Sequence, residues 1–197
     1  MARQDINVGT TANDGTGDPL RDAMIKVNTN EGNLYNTLGW AFYVHDQTTP
    51  STQVITTTSS LLVIDGAGAT SNSSYLPYEI RGSGELWNTV TNKIEPIGEG
   101  DGYTLRIDLE ITAKTASPTE LVLELDISGL SAPTIVIVER IIGTGKAPPY
   151  TVSVGFPIFS LATFITNGGQ LFLKTDSGTV TLTDRQISIH RISSGQI

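Results

Sequence analysis

Two patterns of hydrophobic residues divide the chain near Trp40. Before that point, apolar side chains recur at helical spacing. After it, apolar and polar positions alternate with a period of two, which is typical of strands. The sequence therefore predicts an N-terminal segment with one helix, residues 1–39, and a β domain, residues 40–197. The helical stripe consists of Leu20, Ala23, Met24, Val27 and Leu34.

Two runs in the β domain have the clearest strand pattern. YTLRIDLEI at 103–111 and ELVLELDI at 120–127 each place apolar residues on one face and polar residues on the other. Six further runs are predicted as strands: 40–46, 60–65, 134–142, 150–159, 169–176 and 185–192. Because clusters of Gly, Pro, Asn and Ser separate them, and no second helical pattern lies between them, the fold is predicted to be mainly β, an antiparallel jelly-roll-like β-sandwich.

The run TIVIVERII at 134–142 is apolar at both alternating positions before Glu139. A strand that is covered on both faces has this continuous pattern. We therefore expect a central strand, with the core on one face and a neighbouring subunit on the other.

The start of the N-terminal helix is indicated by Asp18 and Pro19. Asp18 is expected to accept hydrogen bonds from free backbone N–H groups, and Pro19 suits the first helical position. A helix of about 16 residues with a narrow apolar stripe is marginal alone in water. It must pack either on its own β domain or in a coiled-coil-like seam between chains, and the sequence leaves both arrangements open.

Composition excludes several classes of protein. Asp and Glu outnumber Lys and Arg by 20 to 12, and the net charge of −8 argues against a nucleic-acid partner. Since cysteine is absent, there is no disulfide framework, thiolate nucleophile or Cys-ligated metal. No apolar run approaches the roughly 20 residues that span a bilayer. The first residues lack the apolar region of a signal peptide, so we expect a protein made in the cytoplasm without membrane insertion.

The motifs that resemble catalytic or cofactor sites are incomplete. In the loop IIGTGKAPPY, Ala147 replaces the hydroxyl that binds magnesium in a phosphate-binding loop, and Pro148 cannot open the required helix. His45 and His190 each lack a second histidine nearby in sequence, and no serine lies in a G-x-S-x-G turn. The sequence therefore predicts no catalytic residue, no metal and no cofactor.

Two groups of acidic residues leave weaker alternatives. Glu79, Glu85 and Glu95 follow or precede aromatic residues such as Tyr75 and Trp87, a combination found in sugar-binding and sugar-cleaving sites. Ordinary surface acids beside aromatics at the sandwich edge explain the same pattern. The alternating residues Asp14, Thr16 and Asp18 resemble the oxygen ligands of a calcium-binding loop, but the glycine and the final glutamate that such a loop requires are absent.

The stretch NVGTTANDGTGDPLRDA, residues 7–23, is predicted to be a shaped loop that docks on another protein. Its glycines permit φ > 0 or a close approach to another chain, and its Asn and Asp side chains can bond their own turn. Arg21 offers a donor fork to a neighbouring carboxylate or carbonyl. The expected partner-binding residues are Asn7, Gly9, Asn13, Asp14, Gly15, Thr16, Gly17, Asp18, Pro19, Leu20, Arg21, Met24 and Val27.

Residues 6–35 resemble a segment at the N-terminus of many tailed-bacteriophage structural proteins, especially tail-fibre and related appendage or head-decoration proteins. The helical part of that segment resembles A-x-x-K-x-N-x-N, matched here by Ala23, Lys26, Asn28 and Asn30. The match departs at Glu31–Gly32, where an aromatic residue is common. The resemblance implies attachment to a virion, commonly as a trimer.

The expected function is therefore that of a non-enzymatic bacteriophage virion protein, a trimeric tail fibre or appendage anchored by its N-terminal segment. Its expected partners are its own copies, other virion proteins of the tail, portal region or capsid, and a host surface glycan. A trimeric capsid cement or decoration protein is the main alternative, and a glycan-binding or glycan-cleaving domain is a lesser one. The expected location is the virion, after synthesis in the host cytoplasm.

Overall fold

The computed structural model of the chain describes residues 4–11, 14–45, 52–76, 86–115 and 118–193. It contains two helices, α1 (Leu20–Thr37) and α2 (Ala162–Asn167). The first strands are β1 (Gly39–Val44), β2 (Gln53–Ile55), β3 (Ser60–Leu61), β4 (Trp87–Asn88) and β5 (Lys93–Ile94). The later strands are β6 (Gly102–Lys114), β7 (Glu120–Asp126), β8 (Val136–Gly143), β9 (Tyr150–Phe159), β10 (Gly169–Thr175) and β11 (Val180–Ser193).

The strands form two antiparallel sheets that enclose one hydrophobic core. Sheet A has the order β1-β11-β6-β9, with β2 also paired to β11. Sheet B has the order β4-β5-β10-β7-β8, with β3 also paired to β10. The predicted fold class, a mainly β chain with a jelly-roll-like antiparallel sandwich after an N-terminal helix, is confirmed.

Strand β6 is the centre of sheet A, since it pairs with β11 on one side and β9 on the other. Its alternating apolar residues are fully buried in the core, as the sequence predicts, and they are Tyr103, Leu105, Ile107, Leu109 and Ile111. Because successive strand residues point to opposite faces, the polar residues between them lie on the outer face of the sheet.

Strand β7 supplies the matching wall of sheet B. Leu121, Leu123 and Leu125 are buried against the core, and β10 adds Leu171 and Leu173 from the neighbouring position. The two alternating runs of the sequence thus face each other across the sandwich, which is the arrangement that their periods predict.

Strand β8 does not occupy the central position predicted for residues 134–142. It pairs with β7 alone and forms an edge of sheet B within the described residues. Ile135, Val136, Ile137 and Ile141 are between 40% and 62% exposed. One face of β8 is open in the single chain, and the expectation that a neighbouring subunit covers this face stays a prediction.

Other boundaries differ from the predictions because local hydrogen bonds compete with the strand ladder. Of the predicted strand 60–65, only Ser60–Leu61 forms a regular strand, since the Ile64 N–H turns to the Asn92 side chain at 2.7 Å. No second helical pattern was recognised in the sequence, but Ala162–Asn167 form the short helix α2, which contains the buried Phe164. Asp46, the end of the first predicted strand, lies outside the described residues.

A buried ion pair connects β11 to the residue that precedes β6. Arg191 donates from Nη2 to Asp101 Oδ1 at 3.0 Å, and both side chains are at most 2% exposed. The second carboxylate oxygen, Asp101 Oδ2, accepts from the Tyr103 hydroxyl at 2.8 Å and from the Gly98 N–H at 3.0 Å. Burial raises the pKa of Tyr103, which keeps the phenol neutral as a donor.

We predict that Asp101→Asn destabilises the fold by about 3–5 kcal/mol, because it leaves the charge of Arg191 buried without its carboxylate. The free energy of unfolding in urea measures the effect. Arg106→Ala is the control, since its ion pair with Asp108 is largely exposed on the Arg106 side and should contribute less than about 1 kcal/mol. Equal small losses in both variants would contradict the prediction.

Candidate attachment loop and helix

The loop that precedes α1 is closed by two reciprocal hydrogen bonds between Asn7 and Asp18. The Asp18 N–H donates to the Asn7 carbonyl at 2.7 Å, and the Asn7 N–H donates to Asp18 Oδ2 at 2.9 Å. The Asn7 side chain adds a bond to the Thr16 carbonyl at 2.7 Å and accepts one from the Gly9 N–H at 3.0 Å. The two ends of the loop are therefore adjacent, as in a compact Ω-type loop.

Asp14 organises the interior of this loop. Its Oδ2 accepts from the Thr10 N–H, the Thr10 hydroxyl and the Thr11 N–H at 2.7–2.8 Å. Its Oδ1 accepts from the Thr16 N–H at 2.9 Å. These bonds, with that of the Thr10 hydroxyl the strongest, hold the pKa of Asp14 far below its ordinary value. The stretch is thus a defined structure, although its composition is that of a flexible tail.

Two glycines are required by this geometry. Gly9 has φ of +78°, and a Cβ there would lie 2.7 Å from Asp14 Oδ1. At Gly17 a Cβ would lie 3.1 Å from backbone atoms of Asn7, Val8 and Gly9, so the two limbs of the loop pass in direct backbone contact. The close approach at Gly17 lies within the chain itself, and an approach to another chain stays a prediction.

Asp18 does not cap the helix, contrary to the sequence prediction. Helix α1 begins at Leu20 with Pro19 at the N-cap position, and no side chain bonds its first N–H groups. The Asp18 carboxylate instead receives Lys26 Nζ at 2.6 Å, and this contact is the main cause of its lowered pKa. A cation from the second turn of the helix therefore competes successfully for the group that was expected to cap it.

Lys26 and Asn30 also hold the N-terminal segment, although they were not among the expected partner-binding residues. Lys26 Nζ also donates to the Asp5 carbonyl at 3.0 Å. Asn30 Nδ2 donates to the Gln4 carbonyl at 2.8 Å, and its Oδ1 accepts the Gln4 N–H at 2.9 Å. The signal that could have identified them is their i, i+4 spacing, which places both on one helix face. That face holds the N-terminal segment along α1.

Apolar side chains of the segment stay exposed in the single chain. Val8 at the loop is 86% exposed, Leu20 is 78% exposed and Met24 is 49% exposed. Val27 is half-buried, and none of the described side chains of α1, residues 20–32, is buried. Arg21, Thr16 and Gly15 are also exposed, and Asn13 lies outside the described residues.

The alternative sites of the sequence are not assembled in the described part of the chain. His45 is buried with Nδ1 3.3 Å from Asp65 Oδ1, whereas His190 is exposed near the other end of the β1–β11 pairing. No group of His, Asp or Glu among the described residues could hold a metal ion. Trp87 is buried and donates to the Ile64 carbonyl at 2.9 Å. Tyr78, Glu79 and Glu85 lie outside the described residues.

The remaining sequence candidates have structural roles. Glu95 accepts a hydrogen bond from Asn88 Nδ2 at 2.9 Å. The loop IIGTGKAPPY joins β8 to β9, as predicted for a strand connection, and Thr144 within it is buried. Neither α1 nor α2 is long and apolar enough to cross a membrane, within the residues that the structure describes.

Among solved structures, the chain matches several at low sequence identity. Eiger TNF from S. frugiperda has 9% identity and a TM-score of 0.49, with 82% of this chain and 96% of that chain covered. The PRD1 vertex protein P5 has 10% identity and a TM-score of 0.44, with 79% and 97% covered. At these values neither likeness bears on function. No curated protein sequence matches the chain.

The family described as "Bacteriophage T4 gp9/10-like protein, N-terminal" matches residues 3–140. This span includes the closed loop, α1, the strands β1–β7 and most of β8. It covers well over half of the chain. The chain therefore belongs to the bacteriophage T4 gp9/10-like family and is a phage structural protein of the appendage type.

Proposed function

We propose that this protein is a trimeric, tail-associated appendage of a bacteriophage virion, anchored by residues 1–39, with the sandwich of residues 40–197 directed outward to the host surface. The observation that carries the proposal is a polar loop, ordered by its own hydrogen bonds, beside a helix on which the stripe residues Leu20 and Met24 are exposed in the single chain. The role is structural and not catalytic.

The loop supports docking because its polar groups are already satisfied. Asp14, Asn7 and Asp18 bond the loop itself, and so the loop need not be ordered when it meets another protein. Preorganisation of this kind lowers the entropy lost on binding. Val8 projects from this loop with 86% exposure and offers an apolar contact, and the exposed Arg21 offers hydrogen-bond donors.

The helix supports assembly with further copies of the chain. Leu20, Met24 and Val27 lie on one stripe, roughly a quarter turn from the face where Lys26 and Asn30 hold the N-terminal segment. The segment therefore leaves the stripe free. A helix of this length is stabilised mainly by packing, and a seam between copies would bury the stripe. A trimer is the number of copies that the resemblance to phage appendages implies.

A capsid cement protein is the second candidate. The described chain is compact, and it contains one long helix and a sandwich with neither repeats nor an extended coiled coil, which long fibres usually carry. In that case the same loop would dock on capsomers. The two candidates differ in where the protein lies on the particle, and this can be measured directly.

We expect the loop to retain its structure down to acidic pH. The pKa of Asp14 is lowered in the folded state from its ordinary value of 3.8, so its contribution is fully present above that pH. The contribution is lost only as pH falls further, through the folded-state pKa. The NMR signals of the Thr10, Thr11 and Thr16 amides should therefore stay unchanged from pH 7 to pH 4. Asp14→Asn should shift them at neutral pH, whereas Asp22→Asn should not.

We predict that antibody raised against residues 40–197 labels the tail of purified virions in electron micrographs. Label spread over the head would favour the cement candidate, and an absence of label would overturn the virion assignment.

Deletion of residues 1–38 should abolish incorporation into virions, while circular dichroism should show that the sandwich stays folded. Gly9→Val should reduce incorporation strongly, because the side chain would collide with Asp14. Normal incorporation of the deletion variant would contradict anchoring by this segment.

We predict that the isolated chain forms trimers through the α1 stripe. Light scattering after size exclusion should give the mass of three chains, and Leu20→Glu with Met24→Glu should reduce it to one. Ile25→Glu is the matched control, since Ile25 is 51% exposed but lies well away from the stripe. Equal dissociation by the control would show that the stripe is not the seam.

A further inference from the structure

The outer face of sheet A carries a polar groove that the attachment role does not use. Since the apolar residues of β6 point into the core, Arg106, Asp108 and Glu110 point outward along one row. They line a groove of about 410 Å³ together with residues from β9 and β11. The lining from those strands consists of Thr151, Ser153, Asp184 and Gln186.

The side chains in this groove are held by bonds to one another. Asp108 Oδ1 accepts from Arg106 Nε at 3.0 Å and also from the Ser153 hydroxyl. Asp184 Oδ2 accepts from Gln186 Nε2 at 3.1 Å. The groove therefore presents its polar groups as two hydrogen-bonded sets, although the Arg106 side chain itself is 63% exposed.

A β-bulge in β11 directs additional polar groups toward the groove. The register skips from Leu182–Ile111 to Arg185–Leu109, so that Thr183 and Asp184 together oppose one residue of β6, Glu110. The Thr183 hydroxyl donates to Glu110 Oε2 at 2.7 Å. Bulges commonly lie next to functional sites, where they change the direction of a side chain.

The bulge leaves one acceptor unused. Asp184 Oδ1 is buried and has no hydrogen-bond partner among the described residues. Buried polar atoms in native proteins are almost always bonded, and an exception calls for a ligand or an ordered water. Asp184 lines the groove, and a donor that reaches this oxygen must displace the side chains that now cover it.

Aromatic rings lie farther along the same face. Trp40 is directly across from His190 in the register, with ring centroids 6.1 Å apart, and Tyr75 stacks on Trp40 at 4.9 Å. Tyr75 is 57% exposed and His190 is also exposed. From His190 to Gln186 is four residues of one strand, about 13 Å. The aromatic stack of Tyr75, Trp40 and His190 and the polar groove thus belong to one elongated surface.

One row of side chains separates the two parts, and it runs from Phe42 on β1 across β11 and β6 to β9. The row between them has Ser188 on β11 and Gly155 on β9, on either side of Arg106. Gly155 has no side chain, and Ser188 has a small one. The length of this surface suits a chain of several rings better than a single small ligand.

We propose that this surface binds a neutral oligosaccharide. Sugars present apolar C–H faces that stack on aromatic rings, and they carry hydroxyls that pair with carboxylates, amides and guanidinium groups. Three carboxylates and one guanidinium line the groove, so its charge repels uronic, sialic or phosphate-bearing glycans.

This inference deepens the proposed contact with a host surface, because it assigns that contact a site and a ligand class. Its chemistry does not depend on where the protein sits in the virion. Sugar binding by the purified full-length chain therefore tests the site, whereas electron microscopy of particles tests the attachment. The two proposals can fail separately.

The two tryptophans provide a direct assay. Trp87 is fully buried, whereas Trp40 is half-buried within the exposed aromatic stack. The full-length protein would be titrated with maltohexaose, cellohexaose and chitotetraose, and with an oligogalacturonate as the anionic comparison. We expect a saturable change in emission with at least one neutral oligosaccharide and none with the anionic one. Trp40→Phe should abolish the emission change while leaving binding measurable by calorimetry.

Variants of the groove locate the site. Asp184→Asn preserves the size of the side chain, and Ser153→Ala makes it smaller. Each should weaken sugar binding about tenfold or more, since each removes hydrogen bonds to hydroxyl groups of the sugar. Asp22→Asn on α1 is the matched charge control and should bind normally. Unchanged affinity in both groove variants would overturn the assignment of the site. Failure of every neutral oligosaccharide to bind at millimolar concentrations, or a preference for the anionic one, would overturn the ligand class.

Discussion

Burial of one face of β6 is the constraint on which the sandwich depends. Its five apolar residues fill the centre of the core, and its two neighbours, β11 and β9, take their register from it. A shift of one residue would exchange the two faces and place Arg106, Asp108 and Glu110 in the core. The outward position of these three residues on sheet A is therefore fixed by the same packing that excludes water from the core.

The N-terminal segment is stabilised in the opposite way. Within its described residues no side chain is buried, and its shape is maintained by hydrogen bonds from Asn7, Asp14, Asp18, Lys26 and Asn30. A structure of this kind satisfies its polar groups internally and leaves its apolar groups unused. In the sandwich the apolar side chains are buried in the core, whereas in the N-terminal segment they remain exposed and available to other chains.

The sequence predicted those elements whose hydrophobic period is regular. The strands β6, β7 and β9 alternate cleanly and were placed correctly, and the glycine positions of the loop indicated a shaped backbone. The position of β8 in its sheet was predicted wrongly, because an apolar strand at an open edge has the same composition as a buried central strand. Helix α2, with six residues, is too short to display a helical period.

The details of the sites depend on contacts that the sequence does not encode locally. Capping by Asp18 was a sound expectation from its neighbours, but Lys26, eight positions away, binds the carboxylate. The bulge at Thr183–Asp184 lies just before the predicted strand 185–192, in residues that the strand pattern did not include. The meeting of Tyr75, Trp40 and His190 requires the tertiary fold. Periodicity determines which face a residue occupies, but not which partner it finds there.

The open edge of sheet B has a consequence for the chain before it is assembled. An exposed strand rich in Ile and Val can pair with the same strand of another molecule and start irreversible aggregation. In β8 the exposed charged residues Glu139 and Arg140 interrupt the apolar run. Charges at such a position are a common protection of edge strands. They would allow newly made chains to accumulate in solution until their proper contacts are offered by the growing particle.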